Sequence, residues 1–373
     1  MAPERTFEQS DSNAQPVRPA PETEPLPPRS GVANGGWGRL LRWALPWLIF
    51  LIVAIFLTRT VERALRDDAL RTFTLARLNP WWLLAAAAMY WLGSVPQGMY
   101  WHHVMRAMGQ RPTVGESLRA FYIGHLGKYV PGKFMVVLLR TRLVHSARTE
   151  QTPAAVAIFV ETLTSLAVAA TLSAAYVAVQ FRHHRWLFGA AIVAALGMTL
   201  IVVPRVFRAL VRLLKIRRLN AEIDRQLLGI SWPLLVTGWV TIAASWVVMG
   251  LSMWCAIMAI ADCVPLPHAT IARVVMVQRV LPLLTACAAL SVVAGFVSLI
   301  PGGIGAREIV VSEMLPTLLG PPGAVLTAIA VRILWLLAEV LVSAIIYPMS
   351  PRGTRRSTTT SSPSPNPIDR QSP

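Results

Sequence analysis

The sequence predicts an all-α fold: a polytopic integral membrane protein of seven or eight transmembrane helices, with two segments broken at Pro-Gly. Three observations predict it. Hydrophobic residues make up 54% of the 373 and charged residues 14%, where soluble chains carry nearer a quarter charged. Several apolar runs exceed the roughly 18 residues that crossing hydrocarbon requires. The basic residues behind the formal charge of +17 lie between those runs. That placement fits the positive-inside rule and contact with anionic headgroups, and not nucleic acid.

Taken in order, residues 1–36 hold prolines at 3, 16, 19, 21, 25, 27 and 28 and nothing that could bury a core. They read as a disordered tail, as do the Ser/Thr/Pro-rich residues 350–373. Residues 37–349 form the polytopic membrane domain. Membrane helices are expected at about 40–58, 81–101, 154–180, 186–203, 232–260, 283–300 and 323–348, with Pro322-Gly323 in the preceding loop. The stretches 115–145, 266–281 and 302–316 read as re-entrant, interfacial or short crossings. Residues 100–153 hold eight basic residues and 204–231 hold seven, which places both loops and the N-terminus in the cytoplasm. The first apolar run lies behind a long polar segment and reads as a membrane helix, not a cleaved signal.

Cys255, Cys263 and Cys287 lack pairing or metal spacing and read as small core residues. His102-His103 and His183-His184 read as interfacial pairs at helix ends. No zinc, haem, iron–sulfur, Walker or Rossmann pattern is present, so no cofactor is expected.

The chemistry concentrates in two elbows. Only three lysines occur, Lys128, Lys133 and Lys215, and the first two bracket Pro131-Gly132. A second elbow, Pro301-Gly302-Gly303-Ile304-Gly305-Ala306-Arg307-Glu308, follows 170 positions later. Proline removes a helix donor and glycine tolerates the turn. Such backbone cannot face lipid, so within a membrane it lines a cavity or is buried in protein. Half-helices starting after Gly132 or Gly302 would aim free N–H groups into that cavity. Lys128, Lys133, Arg140 and Arg307 would add full charges suited to phosphate. Two corresponding broken segments also suggest an internal, inverted repeat. The plainer alternative is that Pro-Gly marks ordinary turns and the lysines face cytoplasmic water.

Charges inside apolar runs are the second signal. Glu161, Arg332 and Glu339 each sit where a charge costs at least about 2.5–3.5 kcal/mol, so each should face a partner or a cavity. Arg332 and Glu339, seven apart, share one helix face. Structural salt bridges across helices explain them equally well.

Gly127-Lys-Tyr-Val-Pro-Gly-Lys133 followed by Arg140, and Ser298-Leu-Ile-Pro-Gly-Gly-Ile-Gly-Ala-Arg-Glu308, resemble the two signature stretches of the lysylphosphatidylglycerol synthase/flippase membrane-domain family. The second stretch is the more specific, and the resemblance covers roughly residues 40–348. It implies a helical domain that moves a lipid, typically aminoacylated phosphatidylglycerol, between leaflets of the bacterial cytoplasmic membrane. The resemblance does not extend to the synthase domain of the family's full-length members, so no synthase activity is expected of these residues. The lysines of the first elbow stand where many relatives have a Pro-Ala-Arg-like version, which bears on headgroup preference.

On this reading Lys128, Lys133, Arg140 and Arg307 bind phosphate, and Pro131, Gly132, Pro301, Gly302, Gly303 and Gly305 shape the backbone around it. Glu308 orients Arg307 or meets a cationic headgroup. The expected substrate is an anionic or aminoacylated phospholipid or a lipid-linked phosphate. Two alternatives stand beside it: a non-transporting partner of a lipid-modifying enzyme or glycosyltransferase, and an intramembrane enzyme using Glu161, Glu308 or Glu313.

Overall fold

The computed structural model describes residues 77–130, 134–146, 148–180, 185–213, 222–263 and 276–348. The expected tails, the helix at 40–58, His183-His184 and most of the amphipathic stretch 266–281 lie outside these residues. The described residues form helices and no strand. We number them α1 (Pro80–Ala107), α2 (Val114–His125), α3 (Phe134–Val144), α4 (Gln151–Gln180), α5 (Arg185–Val202), α6 (Pro204–Leu213), α7 (Trp232–Ile260), α8 (Val277–Val297), α9 (Ala306–Met314) and α10 (Pro316–Ile346). Four of them, α4, α7, α8 and α10, are long and apolar enough to cross a membrane.

Local chemistry explains where the helices start. Asn79 caps α1 by accepting from the N–H groups of Trp81 (3.1 Å) and Trp82 (3.4 Å), and Pro80 takes the first position, where no donor is needed. Thr113 and Glu116 form a capping box at α2, with Glu116 N–H to Thr113 Oγ1 at 3.2 Å and Thr113 N–H to Glu116 Oε2 at 2.7 Å. Pro204 starts α6 after a bend at Val203. Helix α6 buries Pro204, Phe207 and Val211 and exposes Arg205 and Arg212, a basic amphipathic segment.

Helix α8 begins at Val277, earlier than the expected 283, and α10 begins at Pro316, earlier than the expected 323. The expected loop at Pro322-Gly323 is instead helical. Gly320, at φ +71°, breaks the backbone, and Pro321 and Pro322 open the long continuation of α10, where their missing donors cost nothing.

The main core is an apolar cluster centred on α1, α2, α4, α7 and α8, with Trp101, Phe121, Met105, Ile242 and Leu284 fully buried, and a small second cluster gathers Ala167, Val202 and Leu235. Cys255, Cys263 and Cys287 are buried thiols within the helical body. Helices α1 and α7 pack along one another, bridged by buried serines. Ser245 Oγ donates to the Gly93 carbonyl and Ser252 Oγ to the Ala86 carbonyl at 2.7 Å. Trp335 Nε1 of α10 donates to Ser252 Oγ at 3.1 Å, joining a third helix. Each such bond satisfies a polar group with no water to turn to. Near the end of α1 the histidine pair divides: His102 is buried against Ser117 Oγ at 2.9 Å, while His103 is exposed.

The element order recurs. A long helix (α1), a helix–elbow–short helix (α2, α3) and a long helix (α4) are followed later by α7, then α8–elbow–α9, then α10. The two elbows touch one another.

Candidate functional site

At the first elbow α2 gives way to a 3-10 turn, Leu126–Tyr129, with Val130 extended. Pro131, Gly132 and Lys133 lie outside the described residues. Gly127 packs on the backbone of Met135 and Val136, which folds α3 back against the turn; a Cβ there would lie 2.8 Å from Val136 N. At the second elbow Pro301–Gly303 form a 3-10 turn before α9. Gly302, Gly303 and Gly305 all take positive φ (+63°, +68°, +85°), a region open to glycine at little cost. Leu299 also takes positive φ, +58°, and is the one described non-glycine residue to do so. That conformation costs of order 1–3 kcal/mol and marks the segment as held in place by its surroundings.

Three ion pairs join the elbows to the long helices. Glu339 of α10 accepts from Lys128 Nζ and Tyr90 Oη, and from Tyr129 Oη at 2.9 Å. Arg140 Nη1 of α3 lies 2.9 Å from Glu161 Oε2 of α4, both side chains about 95% or more buried. Arg332 Nε lies 3.3 Å from Glu308 Oε1, and Arg332 Nη2 donates to the Gly302 carbonyl at 2.7 Å. Glu339 and Arg332 therefore share a helix face without pairing to each other. Each reaches across to a different elbow.

His125 sits between two of these pairs. Its Nδ1 is 3.2 Å from Arg140 Nη2 and its Nε2 is 3.7 Å from Glu339 Oε1. Arginine has no acceptor, so Nδ1 must accept and the ring is neutral with its proton on Nε2. The Arg140 guanidinium also lies over Phe121, 4.2 Å from the ring centroid.

At the start of α9 Glu308 Oε2 accepts the Gly305 N–H at 2.7 Å, which occupies one of the N–H groups left open there. Glu308 orients Arg332 and not the expected Arg307, since among the described residues no ion pair joins a carboxylate to Arg307. Arg307 Nε is buried without a hydrogen-bond partner. Gly295 and Gly303 make room for its side chain: a Cβ on Gly295 would fall 2.7 Å from that nitrogen.

Arg307, Lys128, Arg140, His125, Glu161, Gly302 and Gly303 line a chamber of about 380 Å³. Most of its remaining lining is apolar, from α3, α4 and α8, with Trp246 and Trp335. Phe134, Phe159 and Phe296 line it while remaining 80%, 47% and 38% exposed, so they form its mouth. The structure thus gathers Lys128, Arg140, Glu161, Gly302, Gly303 and Arg307 at the chamber, with Glu308, Arg332 and Glu339 supporting it from behind. Pro301 opens the turn and Gly305 precedes α9, while Glu313 is exposed.

Sequence reasoning passed over His125, Tyr90 and Tyr129. His125 and Tyr129 stand inside the first elbow, where a polar residue in an apolar stretch was the available signal. Tyr90 gives none, since a lone tyrosine in a membrane helix is commonplace.

A helical bundle in which four helices are long and apolar enough to cross a membrane, with charges gathered between its broken helices, defines a multi-pass membrane protein. The family described as the lysylphosphatidylglycerol synthase TM region matches residues 43–343, and the chain belongs to that family. No curated protein and no solved structure matches the chain.

Proposed function

We propose that the protein is a flippase-like lipid translocase of the bacterial cytoplasmic membrane, with its N-terminus in the cytoplasm. It takes the phosphate headgroup of a phospholipid or lipid-linked phosphate into the chamber while the acyl chains stay in surrounding lipid. The observation that carries this reading is Arg307, which forms no ion pair among the described residues and holds a buried, unpartnered Nε in a chamber lined mostly by apolar side chains. A charge in such surroundings is costly unless a ligand completes it. Lys128 and Arg140, already paired, hold the chamber's shape and field, and Arg307 meets the phosphate. The exposed phenylalanines of the mouth suit passage of alkyl chains. Family membership supports lipid handling in general, and the arginines of α6 support a cytoplasmic face there.

The test is leaflet exchange of a labelled anionic phospholipid in proteoliposomes, read with a membrane-impermeant quencher. Wild type should accelerate exchange over empty vesicles, and Arg307→Ala should lose most of that gain at equal folding. No acceleration, with or without an ion gradient, overturns autonomous transport and leaves the role of partner to a separate lipid-modifying enzyme.

A further inference from the structure

We infer that the chamber selects an anionic phosphodiester lipid lacking an ammonium group, and that Arg307 sets this selectivity. The inference rests on the reading above, which places a headgroup in the chamber. It narrows that headgroup's chemistry and excludes the aminoacylated form.

The argument is a balance of charge. Among the described residues, the chamber and the layer behind it hold four cations, Lys128, Arg140, Arg307 and Arg332, against three carboxylates, Glu161, Glu308 and Glu339. His125 is neutral by its contact with Arg140. One positive charge is left over, which one phosphodiester would neutralise.

The positions of the charges matter as much as their sum. Every carboxylate already has a cation: Glu161 has Arg140, Glu308 has Arg332 and the Gly305 N–H, and Glu339 has Lys128 and two tyrosine hydroxyls. A lysyl or other ammonium headgroup would have to break one of these buried pairs to find a partner, or sit beside Arg307 unpaired. A phosphate oxygen would meet a donor that has no bond to give up: Arg307 Nε, held in the cradle of Gly295 and Gly303, is unpartnered, as is Arg140 Nε, but only Arg307 also lacks a carboxylate.

The experiment measures binding and exchange separately. The full chain in phosphatidylcholine nanodiscs is titrated with labelled phosphatidylglycerol and labelled lysylphosphatidylglycerol of equal chain length, read by energy transfer from tryptophan. The same two lipids are followed for leaflet exchange in phosphatidylcholine vesicles. Phosphatidylglycerol should bind about tenfold tighter, the scale of one charge-assisted contact. Arg307→Gln should remove the preference, and Arg307→Lys should keep most of it. Equal affinities in wild type, tighter binding of the lysyl lipid, or an unchanged ratio in a folded Arg307→Gln variant overturns the inference. If Arg307→Gln fails to fold, the wild-type ratio alone still decides whether the ammonium lipid is disfavoured. Selective binding without exchange would overturn the translocase reading and leave the selectivity standing. Equal binding and exchange of both lipids would do the reverse.

Discussion

At the scale of single residues, the charges described around the chamber divide into those paired with one another and Arg307, which has no ion-pair partner among them. Arg140 and Glu161 are nearly fully buried, so neither can lose its partner cheaply. Arg140→Ala should destabilise the protein by about 3–5 kcal/mol, whereas the paired change Arg140→Met with Glu161→Leu should come close to neutral. Thermal unfolding in detergent checks this, and equal melting of the single and double variants would count against the pair as a structural contact. Arg307→Gln, by contrast, should leave melting nearly unchanged while altering lipid handling. These partnerships were not legible in the sequence. Glu161, Arg332 and Glu339 announced themselves as charges in apolar runs, but Lys128 and Glu339 are separated by 211 positions, and no local spacing links them.

Elements tell a different story. Both Pro-Gly elbows were readable, because proline and glycine act through their own backbone limits and need no distant partner. The helix at 323–348 was readable in its apolar body but not at its start, since a proline in the first helical turn looks the same in sequence as a proline in a loop. At the second elbow, Gly302 combines φ +63° with close approach: an added Cβ would lie 2.9 Å from both Arg332 Nη2 and the Tyr129 ring. Gly302→Ala should therefore lower the melting temperature and disturb the contact between elbows. Gly197→Ala, on an exposed stretch of α5 with nothing within 4 Å, should not. Similar melting of the two variants would show that the elbow relaxes more easily than its geometry indicates.

Across the whole molecule, the recurring order of long helix, elbow and long helix brings both elbows to one chamber from opposite halves of the chain. Composition alone gave the all-helical membrane class, because hydrocarbon admits few solutions. The chamber's mouth could not be read from sequence, since Phe134, Phe159 and Phe296 come from three helices that only the fold brings together. A photoreactive phenylalanine analogue at position 134 or 296 should form adducts with lipid, and the same analogue at buried Phe121 should not. Adducts at all three positions in equal yield would mean that the mouth is not the route to lipid.

That mouth also bears on pharmacology. If the mouth opens to lipid, as the proposed function requires, a small molecule aimed at the chamber would arrive by first dissolving in the bilayer, where apolar compounds concentrate far above their aqueous level. Its potency would then follow its oil–water partition coefficient and shift with the amount of lipid in the assay. Inhibitors that partition differently would need ranking by their concentration in the membrane, not by nominal aqueous dose.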